Sequence, residues 1–135
     1  IMRKIERKLA EQVMRLSGVN LFLKNRSREY VEARALYCYI LRHYLKLSLR
    51  QIQSIFKFYG KSIHHSTILH LLNNWGVYTM YNKDLQRFAE QIMDNGDWEN
   101  QDVKKAYIID RIKILPEDTI SEIYNLVKED FELVT

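Results

Sequence analysis

Apolar residues recur along this chain at helical steps. Ile5, Leu9, Val13 and Leu16 stand four, four and three residues apart, which lines one face of a helix over about residues 3–16. Arg3, Lys4, Arg7, Lys8 and Arg15 fall mostly off that face, and Ser17-Gly18 closes the helix. After the short apolar segment Leu21-Phe22-Leu23 comes Lys24-Asn25-Arg26-Ser27-Arg28, a basic stretch without an apolar residue and hence an exposed loop. A long helix is predicted from about Glu29 to Leu45. It is apolar on more than one face (Val31, Ala33, Ala35, Leu36, Cys38, Ile40, Leu41), as expected of a helix at the centre of a core.

Ser48-Leu49-Arg50-Gln51 reads as a capping box, in which serine accepts from the amide three residues on and glutamine reaches back. It opens a short helix with Leu49, Ile52, Ile55 and Phe56 as its inner face. A turn around 58–63 follows, flexible at Gly60. The next helix runs from about His64 to Trp75, with Ile68, Leu69, Leu72 and Trp75 inward and His65, Ser66, Thr67 and Asn73 outward. Gly76 begins a connector. Leu85, Phe88, Ala89, Ile92 and Met93 mark an amphipathic helix stopped by Asn95-Gly96. Val103, Ala106, Ile109 and Ile112 mark another. After Pro116, Thr119 and Glu122 form a second candidate capping box ahead of Ile120, Ile123, Tyr124, Val127 and Phe131. With only four glycines and one proline, the chain has few places to turn, which favours long helices over many strands. The expected fold is an all-α helical bundle containing a helix-turn-helix, with additional C-terminal helices.

Charge divides the chain. Residues 1–75 hold 14 Lys and Arg against 4 Asp and Glu, while residues 76–135 hold 7 against 13. Such asymmetry points to a polyanion-binding half and an acidic half with another task. The expected division is a DNA-binding region over 1–80 and an acidic helical extension over 81–135. That extension has three readings: it completes the core, it carries a protein partner or self-association, or it folds back over the basic face.

Other chemistry finds little support. Cys38 is the only cysteine and lies in an apolar run, which fits a buried thiol and a reducing cytoplasm. No run of about 18 apolar residues offers a membrane span. His64, His65 and His70 lack the i, i+4 spacing of helical metal ligands. Ser66 and His65, adjacent on a helix, do not face each other as a nucleophile and base would. No G-x-x-x-x-G-K-[ST] loop is present to cradle phosphates. The chain is therefore expected to be neither an enzyme nor a cofactor protein.

A basic loop, a long core helix and two short helices, the second opening on small polar side chains, make up the order of a helix-turn-helix reader of duplex DNA. At these residues the chain resembles one family. Arg26-Ser27-Arg28-Glu29-Tyr30-Val31-Glu32-Ala33-Arg34, Leu47-Ser48-Leu49 with Ile52 and Phe56, and His65-Ser66-Thr67-Ile68-Leu69-His70 look like the C-terminal DNA-binding domain of the bacterial replication initiator DnaA. The likeness covers about residues 5–75. It implies a Trp-repressor-like helix-turn-helix that grips double-stranded DNA from two sides. By position, Arg26 would read the minor groove, Arg34 would meet the DNA backbone, and His65, Ser66 and Thr67 would work in the major groove, with His70 structural. Lys24, Arg28 and His64 complete the candidate DNA-binding set. This chain departs from the family pattern in three places. His64 stands where an aspartate is usual, Ala35 where glutamine is common, and the turn between Phe56 and His65 is about four residues longer. General duplex binding survives these changes better than the family's own sequence preference. The implied protein is a stand-alone, nucleoid-associated DNA reader without an ATPase. The alternative is a protein-interaction or structural module that keeps the initiator-like fold without binding DNA.

Overall fold

The computed structural model describes residues 4–96 and 98–134, with side chains through Asp130. Arg3 and the Phe131 side chain, both included in the predicted helices, lie outside the described residues. The described chain is all helical: α1 (Lys4–Ser17), α2 (Arg28–His43), α3 (Leu49–Phe58), α4 (His65–Asn73), α5 (Trp75–Tyr81), α6 (Lys83–Asn95), α7 (Gln101–Ile112) and α8 (Glu117–Val134).

The helix α2 is the axis of the bundle. Residues 33–38, together with Ile40 and Leu41, are buried because α1, α3, α4, α5 and α6 all pack around it. Tyr37, fully buried, donates its hydroxyl to the Glu6 carbonyl at 2.8 Å and so ties α2 to α1. Cys38 is buried beside it; burial pushes its thiol up to about 12, against the pull of the Arg34 charge. The thiol is thus protonated at any physiological pH.

Both bonds of the predicted capping box are formed. Gln51 N–H donates to Ser48 Oγ at 3.1 Å, and Ser48 N–H donates to Gln51 Oε1 at 2.8 Å. At its other end α3 closes in a Schellman turn. Gly60 N–H donates to the Lys57 carbonyl and Lys61 N–H to the Phe56 carbonyl, both at 2.9 Å. The motif needs a left-handed residue after the cap, and Gly60 takes φ 84° there. Gln53 then fixes the far side of the turn by donating to the Ile63 carbonyl at 2.8 Å.

Several predicted details change. The inner face of α4 is Ile68, Leu71 and Leu72 rather than one including Leu69, which is 47% exposed, and Trp75 opens the next helix. Leu69 lies one residue, about 100°, off that stripe. Gly76 does not begin a connector but sits inside α5. The chain bends at Asn74 and winds on, with Trp75 stacked on Tyr39 of α2 at 4.5 Å. Thr119 is not a cap, because α8 begins at Glu117 and the Ile120 N–H bonds the Pro116 carbonyl at 3.0 Å. Through Asp130, no α8 side chain is buried.

The core runs on past residue 80. Leu85, Ala89, Ile92 and Met93 of α6 join the same core as Leu9, Val13 and Leu36, because α6 lies against both α1 and α2. Val103 and Ala106 of α7 continue it. Ile109 and Ile112, expected on the inner face of α7, point to water instead, and Tyr107 and Asp110 take the inward register. Asp110 accepts from the Tyr44 hydroxyl at 2.6 Å and lies 2.9 Å from His43 Nε2. Nearby, Asp94 of α6 accepts from Tyr107 at 3.0 Å and pairs with Arg111.

Burial alone would raise the pKa of Asp110, but the bonds from Tyr44 and His43 and the charges of His43 and Lys113 outweigh it, so the value falls below its ordinary one. A carboxyl with a depressed folded pKa contributes stability above its unfolded value of about 3.9, and that contribution is lost as pH falls through the folded value. Asp110→Asn should therefore lower unfolding stability at neutral pH by about 2 kcal/mol, the scale of hydrogen bonds to a charged group. In urea titrations, the gap between wild type and variant should close as pH drops below about 4. A gap that stays constant down to acid would contradict this ionic link.

Candidate nucleic-acid interface

The basic loop is built from its apolar ends. Leu21 is fully buried, and Phe22 stacks on Tyr59 at 4.1 Å while meeting Phe56 edge-on at 5.4 Å. These contacts seat the loop against the end of α3 and the turn that leads to α4. Within the loop, Asn25 Oδ1 accepts from the Ser27 N–H at 2.8 Å, a local Asx turn that starts the approach to α2. Lys24, Arg26 and Arg28 are all exposed.

The turn adds a cation that the sequence reading did not single out. Lys61 follows Gly60 in the Schellman turn and is half-buried. Its pKa lies below the ordinary lysine value, first through burial and then through the charges of Arg34, Arg26 and Lys24. Those charges come from the basic loop and from α2, so residues nearly forty positions apart in sequence share one field. The Gly60-Lys61 pair was the available signal, since a glycine-closed helix end fixes where the next side chain emerges.

His64, His65, Ser66 and Thr67 lie together on the turn side of α4, all exposed. His64 is the N-cap residue in extended conformation, and its side chain makes no capping bond. The first turn of α4 thus receives no cap from His64, and a helix start in that condition suits an anion. The exposed hydroxyls of Ser66 and Thr67 are short enough to allow close approach of another surface.

Two of the candidate residues are placed differently from the rest. Arg28, the first residue of α2, has its Nε 3.6 Å from Glu32 Oε2, so part of its charge is answered within the helix. Glu32 is itself buried and also accepts from Asn82 at 3.3 Å. Arg34, expected to meet the DNA backbone, is only 5% exposed. Its Nε donates to the Leu21 carbonyl at 2.8 Å, Nη1 to the Asn25 carbonyl at 2.7 Å, and Nη2 to the Leu23 carbonyl. With these donors turned inward, Arg34 is not a surface contact. The reason is geometric: it projects from the second turn of α2 under the loop rather than beside it.

Within the acidic half, Asp110 meets α2 at its other end. Asp110 binds Tyr44 and His43, at the C-terminal end of α2, whereas the basic loop precedes its first residue. Fifteen helical steps separate the two ends, about 22 Å at 1.5 Å per residue. That exceeds the physiological Debye length of about 8 Å, so the Asp110 charge is screened from the loop.

Among the described residues, no cluster of three or more His, Cys, Asp or Glu could hold a metal ion. No helix among them is long and apolar enough to cross a membrane. No family model, curated protein or solved structure matches the chain.

Proposed function

We propose that this protein binds double-stranded DNA with a sequence preference. In this reading α4 enters the major groove with His64, His65, Ser66 and Thr67 leading, and the basic loop reaches the adjacent minor groove through Arg26 with Lys24 beside it. The observation that carries the reading is the stacking of Phe22 on Tyr59 at 4.1 Å, which seats the loop bearing Lys24 and Arg26 on the turn that bears Lys61 and leads to α4. An arginine on an exposed loop suits a narrow, electronegative minor groove, and the uncapped start of α4 suits a phosphate. The resemblance to the initiator DnaA supports the same reading. In this reading the chain is an initiator-like or regulatory DNA binder at the nucleoid in the cytoplasm.

The test is a fluorescence-anisotropy titration of a random-sequence duplex and an initiator-box duplex at two salt concentrations, with wild type and Arg26→Ala. The expected result is affinity that falls steeply with salt, because each neutralised phosphate releases counterions, and that drops again without Arg26. Absence of binding at low salt would refute the proposal.

One observation favours a second reading, that of a protein-interaction module. Ile108, Ile109 and Ile114 near α7 and Tyr124, Leu126 and Val127 of α8 are all more than half exposed. Exposed apolar surface of this kind can take a protein partner or a second copy of the chain. A stoichiometric protein complex together with no DNA affinity would select that reading.

A further inference from the structure

We infer that Arg34 is a positioning residue: a buried guanidinium that clamps the basic loop into the shape in which Arg26 and Lys24 can act. The inference rests on the DNA-binding reading for what the loop does, and on geometry alone for the clamp.

The geometry is unusual in one respect. A loop of this length normally turns its backbone polar groups to water. Here the carbonyls of Leu21, Leu23 and Asn25 turn inward and converge on one side chain. Alternate carbonyls on one fork bend the segment into an arc. Lys24 and Arg26, which alternate with these residues, are left exposed, while Leu21 is buried at the start of the segment. Only an arginine supplies planar, divergent donors for three acceptors at once; a lysine ammonium is a single point on a flexible stem. The Arg34 guanidinium also lies 5.8 Å from the Tyr30 ring centroid, which helps hold its plane.

The electrostatic consequence matters as much as the shape. Lys24, Arg26, Lys61 and Arg34 repel one another, and a free loop would swing its cations apart into solvent. The clamp opposes that by spending the Arg34 charge on carbonyl dipoles, which keeps the loop's own cations close to Lys61. A loop ordered before DNA arrives avoids the entropy cost of ordering it on binding. Arg34 thus supports affinity through Arg26 and Lys24, without touching the duplex.

Two measurements on the full chain test this, with Arg34→Lys and Arg34→Met. The first is limited trypsin digestion without DNA, read by mass spectrometry. Both variants should keep the helical circular-dichroism signal and cooperative melting, while cleavage after Lys24 and Arg26 speeds up about tenfold or more through local opening of the loop. Arg34→Lys should be the less affected of the two. Unchanged cleavage, or loss of the helical fold in both variants, would overturn the clamp.

The second is a double-mutant cycle with Arg26→Ala, read as affinity for duplex DNA. Arg34→Lys should weaken binding more in the wild type than in the Arg26→Ala background, where only its effect through Lys24 remains. Additive losses would show an independent contact and overturn the inference. If the wild type binds no DNA, the proposed function fails and the inference loses its DNA part, while the digestion still decides whether the clamp exists.

Discussion

Replacing Lys24, Arg26 and Lys61 together by alanine will flatten the salt dependence of duplex affinity as well as weaken binding. The three side chains lie in one field: the Lys61 pKa is lowered first by burial and then by the charges of Arg34, Arg26 and Lys24. If that field meets phosphates, each contact contributes about 0.9 to the slope of log affinity against log salt, so the slope should fall by about 2 to 3. Titrations between about 50 and about 200 mM salt cover the range where such contacts act most strongly. The change should be nearly the same on unrelated sequences, because backbone contacts carry no base identity. A retained slope would mean that these cations face away from the duplex. All three side chains are exposed or half-buried, so the variant should keep its melting behaviour and the readout should report binding alone.

Phe56→Ala will be the most destabilising single change among those considered. Phe56 is fully buried and meets Phe22 at 5.4 Å and Tyr37 at 6.0 Å, both edge-on. Truncation removes a ring and leaves a cavity between α2, α3 and the loop, at a cost of about 3–5 kcal/mol. That is a large part of the stability of a small domain, which is typically about 5–15 kcal/mol. Urea unfolding should show the midpoint falling with little change in slope. A loss below about 1 kcal/mol would mean that the aromatic cluster can collapse around the gap. Because Phe22 leans on the same ring, the basic loop should loosen in this variant too.

The elements that were legible in the sequence owe their form to local chemistry. The Ser48–Gln51 box, the Gly60 turn and the α6 stripe each depend on residues within one or two turns of each other, and pattern reading finds such features. What was not legible depends on distant partners. Asp110 faces inward because Tyr44 and His43 wait for it, while Ile109 and Ile112, apolar by type, are left outside. A rule that turns apolar residues inward must misplace that face. The α5 helix escaped notice because Gly76 resembles a break, whereas Trp75 finds a stacking partner on α2 and the chain continues. Of the candidate interface, the exposed positions were legible from polarity and from the family resemblance. The burial of Arg34 was not, since nothing in its neighbours shows that three loop carbonyls would turn toward it. Lys61 was overlooked for a similar reason, because its company with Arg26 is created only when the loop seats on the turn.

The shared wall that α6 builds bears on how this chain can be cut and joined. Every candidate DNA contact lies before residue 70, so a fragment ending at Tyr81 would carry all of them. It would also leave the flanks of α1 and α2 bare where Leu85, Ala89, Ile92 and Met93 now cover them. The smallest cassette that can be moved intact to another protein therefore extends through the end of α7 at Ile112, which keeps Ala106 in the common core and Asp110 on Tyr44 and His43. Beyond it, α8 buries no side chain through Asp130, which makes that helix the natural seam for a fusion partner.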